Sequence, residues 1–340
     1  MEREKKEYKY MVVTRCFTFN HAPYIVDAMN GFTIQETTFP VITLIIDDAS
    51  TDGEPDVIRQ YLTGHFQKPY RTEDNNDYQL ICANHKSNPN CKFIVFLLKY
   101  NHYCIKKSKF PYLSEWLDNT KYHAICEGDD YWIHPSKLEM QVTILEKYNQ
   151  IGLCYTKTNV LNQAQGTLNN NRGKRFRNVK ELILQDSVYT LTTLYRASLF
   201  QEYYKEISPD LRNWKMGDYP LWIWIALHSD SYFLEETTSV YRVLKNSASH
   251  NENIEIVRSF AMSVYEVQNF FIDRYFPDDY KLKQKVGNRN KRRLAHLFAK
   301  HKDFDNSVKY FMEVNPKTIK DWLYIIFMKC NMSQICNFFS

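Results

Sequence analysis

The sequence predicts an α/β protein, with a mostly parallel sheet covered by helices and a helical C-terminal extension. Three observations carry this. Apolar runs of strand length take turns with helix-period segments through the first half of the chain. Several runs are continuously apolar, as strands buried on both faces are. From about residue 252 onward the pattern is helical alone. The order strand, helix, strand is that of a helix-covered sheet. With 340 residues, 44% of them hydrophobic, the chain can build one large domain and an appendage. The boundaries expected are a domain over residues 8–250, split into halves of about 8–160 and 161–250, and an extension over 251–340.

Taken in order, Tyr10–Phe17 reads as the first strand. Ile25, Ala28, Met29 and Phe32 then recur at i, i+3, i+4 and i+7, one face of a helix, with Asn20 as its N-cap and Pro23 in its first turn. Val41–Ile46 is a buried strand, and Val57, Ile58, Tyr61 and Leu62 mark the next helix. Phe93–Leu98 and Tyr122–Cys126 are further strands. A helix follows Pro135 with Leu138, Val142 and Leu145 on one side, and Ile151–Tyr155 is again a strand. Arg71–Asn90, rich in Asn and Asp, reads as a surface excursion, and Asn162–Asn178 as a mobile loop. Leu294–Pro316 has the look of one tetratricopeptide-type helix pair. Asp321–Phe339 is rich in apolar residues, suited to core or partner packing or to a membrane surface.

Charge narrows the function. A net +5 spread along the chain suits an anionic ligand or an acidic membrane surface and argues against nucleic acid. The eight cysteines include no Cys-x-x-Cys pair, and Cys16, Cys126 and Cys154 sit in apolar runs as buried thiols do. The opening MEREKKEYKY has no apolar signal core behind it, and no run nears the ~20 apolar residues of a membrane span. A cytoplasmic setting is the expectation.

Two acidic clusters each follow a strand: Asp47-Asp48-Ala49-Ser50-Thr51-Asp52-Gly53, and Glu127-Gly128-Asp129-Asp130 before Tyr131-Trp132. Open α/β sheets bind ligands beyond the carboxyl ends of their strands, so both clusters fall on the binding edge. Carboxylates gathered there repel one another unless a positive charge lies between them. A hard divalent cation is the natural partner, with diphosphate oxygens as its other ligands. Turn and cap roles are the plainer account of Asp, Ser and Gly in the first cluster.

At these motifs the chain resembles the family 2 glycosyltransferases of the GT-A fold, over about residues 10 to 250. Val12–Tyr24 is similar to that family's first strand and nucleotide-contacting turn, with Thr18-Phe19-Asn20 for the usual Thr-Tyr-Asn. Asp47 to Gly53 resembles its Asp-Asp-Gly-Ser-Thr-Asp-Gly signature, and Glu127-Gly128-Asp129-Asp130 stands where it keeps Asp-x-Asp. The resemblance implies donor contacts at Thr18, Asn20, Tyr24, Asp48, Glu127, Asp129 and Arg242. It implies a divalent metal, Mn2+ or Mg2+, at Asp129 and Asp130, with His250 as a further ligand. Met216-Gly217-Asp218-Tyr219 precedes the helical run Leu221–Leu227, where the family keeps its catalytic base, so Asp218 is the candidate. Inversion at an anomeric carbon needs one base to take the acceptor proton. An N-cap role for Asp218 is compatible with that. Tyr241-Arg242 and Ser247–His250 resemble the later segment that closes over the donor, making Arg242 and His250 diphosphate contacts. Trp132, Trp214 and Thr193 are acceptor-side candidates, joined by Thr192 and Arg196. Tyr103 stands where the family often has Gly after Asn101.

The donor implied is a UDP-sugar, and the acceptor a glycan or lipid-linked chain of a cell-surface polysaccharide. The setting implied is the inner membrane face, touched through the C-terminal tail. Three rivals stand beside this. One is a zinc site from Cys82, His85, Cys91, His102 and Cys104, whose spacing matches no common finger. The second is a non-catalytic sugar- or nucleotide-binding protein working through its helical tail. The third, an aspartyl phosphatase, wants an Asp-x-Asp-Gly-Thr that Asp47-Asp48-Ala49 does not supply.

Overall fold

A computed structural model describes residues 8–245, 251, 253–314 and 319–329. The chain forms two compact units. The first comprises Met1–Arg175, Ser187–Asp210 and Trp224–Arg242; the second comprises Phe176–Asp186, Leu211–Ile223 and Val243–Ser340.

The first unit is built on one eleven-stranded sheet. Its strands are β1 (Tyr10–Thr18), β2 (Val41–Asp47), β3 (Arg71–Asp74), β4 (Tyr78–Asn84), β5 (Cys91–Leu98), β6 (Thr120–Ile125), β7 (Tyr131–Trp132), β8 (Ile151–Asn162), β9 (Thr167–Arg172), β10 (Leu194–Arg196) and β11 (Asp230–Val243). They lie in the order β3-β4-β5-β2-β1-β6-β10-β8-β11-β7, and β9 pairs with β8. The central four, β5-β2-β1-β6, run parallel. Antiparallel strands extend them on both sides. Helices α1 (Ile25–Thr33), α2 (Glu54–His65), α3 (Phe110–Leu117), α4 (Lys137–Lys147) and α6 (Ala197–Ile207) belong to this unit, and α5 (Val179–Leu184) to the other.

The continuous apolar runs are explained by burial on both faces. In β5, Phe93, Val95 and Leu97 join one core with Ala28, Met29 and Phe32 of α1, Ile58 of α2 and Leu138 of α4. Ile94, Phe96 and Leu98 join a second core with Leu113, Trp116 and Leu117 of α3. Strand residues alternate faces, so a strand covered twice must be apolar at every position. The expected α/β architecture, with its parallel centre and helical C-terminal region, is the one the chain adopts.

Three local elements differ from what the sequence predicts. Asn20 does not cap α1; Tyr24 holds the cap position, and Asn20 adopts a left-handed backbone (φ 57°) in the loop after β1. The Arg71–Asn90 excursion is the β3–β4 hairpin, which extends the sheet beyond β5. Asn162–Asn178 contains β9, which pairs with β8 as a hairpin and whose own residues are all exposed. With no buried face, β9 left no period-two signal in the sequence.

The second unit is helical. It holds α5, the start of α7 (Asp218–His228), then α8 (Ile254–Tyr275), α9 (Tyr280–Lys300), α10 (Phe304–Met312) and α11 (Ile319–Lys329). The end of α9, α10 and α11 share a core of Ala295, Ala299, Phe311, Tyr324, Ile325 and Met328. Asn253, Asp279 and Asp303 cap α8, α9 and α10 through their side chains. Among the described residues, no helix is long and apolar enough to cross a membrane.

Candidate functional site

Parallel pairing brings the two acidic clusters to one edge of the sheet. Thr18, the last residue of β1, is in register with Asp47, the last of β2, and β6 ends beside β1 at Ile125. The loops after β1, β2 and β6 therefore emerge side by side.

The first two loops are laced together. Asn20 Oδ1 accepts from Thr51 N at 2.8 Å, and Asn20 N donates to Ser50 Oγ at 2.8 Å. Ala22 N donates to Asp52 Oδ2 at 2.9 Å. The hub is the fully buried Glu54, at the start of α2. Its carboxylate accepts from the Thr18 hydroxyl, from His21 N at 2.8 Å and from Ser50 Oγ at 2.9 Å. Ala49 takes a left-handed backbone (φ 61°) where the resembled motif has glycine.

Asp47 and Asp48 face different surroundings. Burial pushes the Asp47 carboxyl up to about 6, and its Oδ1 has no hydrogen-bond partner among the described residues. The Asp48 carboxylate accepts from His102 N at 2.8 Å, Tyr103 N at 3.1 Å and Lys109 Nζ at 2.7 Å. It thereby anchors the segment after β5.

In the second cluster Glu127 is exposed, Asp129 half-buried and Asp130 buried. His21 Nε2 lies 3.9 Å from Asp129 Oδ2, so the loop after β1 and the acidic loop meet. Gly128 is required by close approach, since a Cβ there would overlap the Thr18 side chain. Asp130 Oδ1 accepts from Arg242 N at 2.7 Å. Burial, then the neighbouring Asp129, holds the Asp130 carboxyl well above the ordinary range. Arg242, itself buried, donates from Nη1 to the Asp129 carbonyl at 2.6 Å and from Nη2 to Asp27 Oδ2 at 2.7 Å. Its guanidinium lies over the rings of Tyr24 (4.6 Å) and Tyr131 (5.0 Å). Arg242 thus ties β11, α1 and the acidic loop together.

A divalent cation fits this loop in one particular mode. Among the described residues no three His, Cys, Asp or Glu side chains gather as a full protein cage. Hard cations that work on phosphates use one or two carboxylates and take their other ligands from phosphate oxygens and water. Asp129, with Glu127 beside it, meets that need, while Asp130 is occupied in holding the loop.

Of the acceptor-side candidates, Trp132 is buried. Its Nε1 donates to Leu191 O at 2.8 Å, and its ring packs edge-on against Phe32. Thr192 and Thr193 spend their hydroxyls on backbone carbonyls of their own unit, and Arg196 donates to backbone carbonyls and to the Tyr122 hydroxyl. In the second unit, Trp214 packs on Phe270 and Phe271, and Asp218 is the first residue of α7, its Oδ1 accepting from Tyr219 N at 2.8 Å. Ser247–His250, and His250 with it, lie outside the described residues.

Sequence reasoning missed Glu54, Lys137 and the latching role of Arg242. Glu54 left a weak signal, an acid opening a helix after Gly53. Lys137 left none, because a lysine in a helix's first turn reads as solvated. It is fully buried, its Nζ donating to Gln141 Oε1 at 2.7 Å and lying 4.3 Å from the Trp132 ring centroid.

Comparison with known proteins bears on the fold. No family model matches the chain. Uncharacterized proteins of Mycobacterium tuberculosis and Mycobacterium bovis are 28% identical over 231 residues, 66% of this chain and 56% of theirs. The chain thus spans just over half the length of these relatives. Among solved structures, S. aureus TarS superposes with a TM-score of 0.52 at 14% identity, covering 96% of this chain and 55% of that one. The mannosyltransferase PcManGT of Pyrobaculum calidifontis, solved with GDP-Man and Mn2+, gives 0.52 at 12% identity, covering 98% of this chain and 89% of that one. The fold is GT-A-like.

Proposed function

We propose that the chain is an inverting, metal-dependent glycosyltransferase of family 2. It carries a sugar from a nucleotide-sugar, a UDP-sugar by its motifs, to a hydroxyl of a glycan or lipid-linked acceptor in cell-surface polysaccharide synthesis. The observation that carries this reading is the half-buried Asp129 carboxylate, between Glu127 and the buried Asp130, at the carboxyl edge of a GT-A-like sheet. The mannosyltransferase of similar fold, which holds GDP-Man and Mn2+, supports it.

In this reading Asp129, with Glu127, holds Mn2+ or Mg2+. When bound, the cation supplies Lewis-acid neutralisation of the charge growing on the departing nucleoside diphosphate. Asp130 and Arg242 fix the loop, so that the Asp129 carboxylate needs no rearrangement when the donor enters. Glu54, with the Thr18 hydroxyl as one of its donors, holds the loops after β1 and β2 in the register that presents Asn20. Asp218 takes the proton of the attacking hydroxyl, and a single displacement inverts the anomeric carbon.

Calorimetric titration with UDP, GDP, CDP and dTDP, each with Mn2+ and then with EDTA, tests the donor site. Tight binding of one diphosphate that EDTA abolishes is expected. Absence of binding to all four by folded protein would overturn the reading. Asp218→Asn is expected to lower transfer ~10²–10⁴-fold with nucleotide affinity unchanged, and full activity would remove Asp218 as the base.

A further inference from the structure

The second unit carries a feature that donor chemistry does not use. Helix α9 has eight Lys and Arg residues and no Asp or Glu. Those that face neighbouring elements are engaged: Lys283 with Asp273 of α8, Lys291 with Glu313, and Arg292 over the Phe311 ring. Lys281, Lys285, Arg289 and Arg293 differ. They follow one another at i+4, all four are exposed, and none has an ion-pair partner among the described residues. Each stands one position before a buried or half-buried residue of the packing stripe, ~100° round the helix from it. Like charges at i,i+4 repel, so this ridge weakens its own helix unless something anionic lies along it.

The same unit exposes an apolar face. Helix α11 buries Tyr324, Ile325 and Met328 against Ala295 and Ala299 of α9 and leaves Trp322, Leu323 and Ile326 exposed. Trp322, half-exposed on a helix with exposed Leu and Ile beside it, is the kind of side chain that settles at a lipid headgroup boundary. A soluble polyanion would use the cations alone. A bilayer surface with anionic lipids uses both.

We propose that the second unit docks on an anionic membrane surface, with Lys281, Lys285, Arg289 and Arg293 against lipid phosphates and Trp322, Leu323 and Ile326 in the headgroup layer. The inference is independent of the donor site, because none of these residues belongs to it. The test is co-sedimentation of the full chain with vesicles of phosphatidylcholine alone and of phosphatidylcholine with one-third phosphatidylglycerol, at low and high salt. Binding to the anionic vesicles is expected, weaker at high salt and near zero on the neutral ones. Each cation replaced by Gln should lower vesicle affinity ~5-fold, and the fourfold variant several-hundred-fold. None of the four cations forms an ion pair among the described residues, so the helical circular dichroism of that variant should be unchanged. Trp322→Ser should weaken the binding that persists at high salt. Equal binding to neutral and anionic vesicles, or anionic binding untouched in the fourfold variant, would overturn the proposal. So would wild-type protein that ignores both vesicles while binding inorganic polyphosphate.

Discussion

Lys137 gives the sharpest quantitative test of this structure. It is fully buried beneath the acidic loop, with one hydrogen bond to Gln141 Oε1 and the Trp132 ring as its other polar contact. Burial pushes its ammonium down from 10.5 to about 7. The sign follows from proton counting. Between pH 7 and 10.5 the unfolded chain holds a proton at this lysine that the folded chain releases, so stability rises with pH across that window. Below pH 7 both states are charged and the penalty is constant; above 10.5 it is gone. At 1.36 kcal/mol per pH unit the full penalty is about 5 kcal/mol. Lys137→Met keeps the length and apolar contacts of the side chain and removes the charge. It leaves Gln141 Oε1 without its donor, at a cost of about 1–3 kcal/mol. The variant should therefore be about 2–4 kcal/mol more stable than the parent at pH 7 and should lose that advantage by pH 10. Urea denaturation of both proteins at several pH values from 7 to 10 reads this directly, because other titrating groups cancel in the difference. A difference that does not change with pH would refute the reasoning.

Two further predictions concern the acidic loop. Asp129→Asn should cost at least ~100-fold in Mn2+-dependent nucleotide affinity, whereas Asp130→Asn, which keeps an acceptor for Arg242 N, should stay within ~10-fold of the parent. Equal losses in calorimetry would show that both acids ligate the metal. Gly31→Ala should destabilise by about 1–3 kcal/mol, because the new Cβ would lie 2.7 Å and 2.8 Å from the backbone N and O of Trp132. It should also weaken Mn2+-dependent nucleotide binding, since Trp132 directly follows the acidic loop. An unchanged melting temperature would show that α1 and β7 separate freely.

The sheet was legible because its physical cause is local. Burial on both faces favours apolar residues at nearly every position of the runs Val41–Ile46 in β2 and Phe93–Leu98 in β5, and those runs are visible without coordinates. The exposed strand β9 answers to no such demand and passed for a loop. The glycine-like position of the first acidic motif was legible as a motif, but that Ala49 occupies it in a left-handed conformation was not.

What the sequence determined by itself is the order of strands and helices and the placing of two acidic clusters after strands. Each follows from the period or the position of side chains along a single element. What only the tertiary structure decided is how those side chains are spent. Asp130, Arg242, Trp132 and Lys137 are all of types that bind ligands, and all four are turned inward to hold the loop that presents Asp129. Their partners, 59 residues away for Trp132 and 112 for Asp130, come from elements distant along the chain. A side chain's polar group is committed by whatever the fold brings within hydrogen-bond reach, and that depends on pairing between strands rather than on spacing along one.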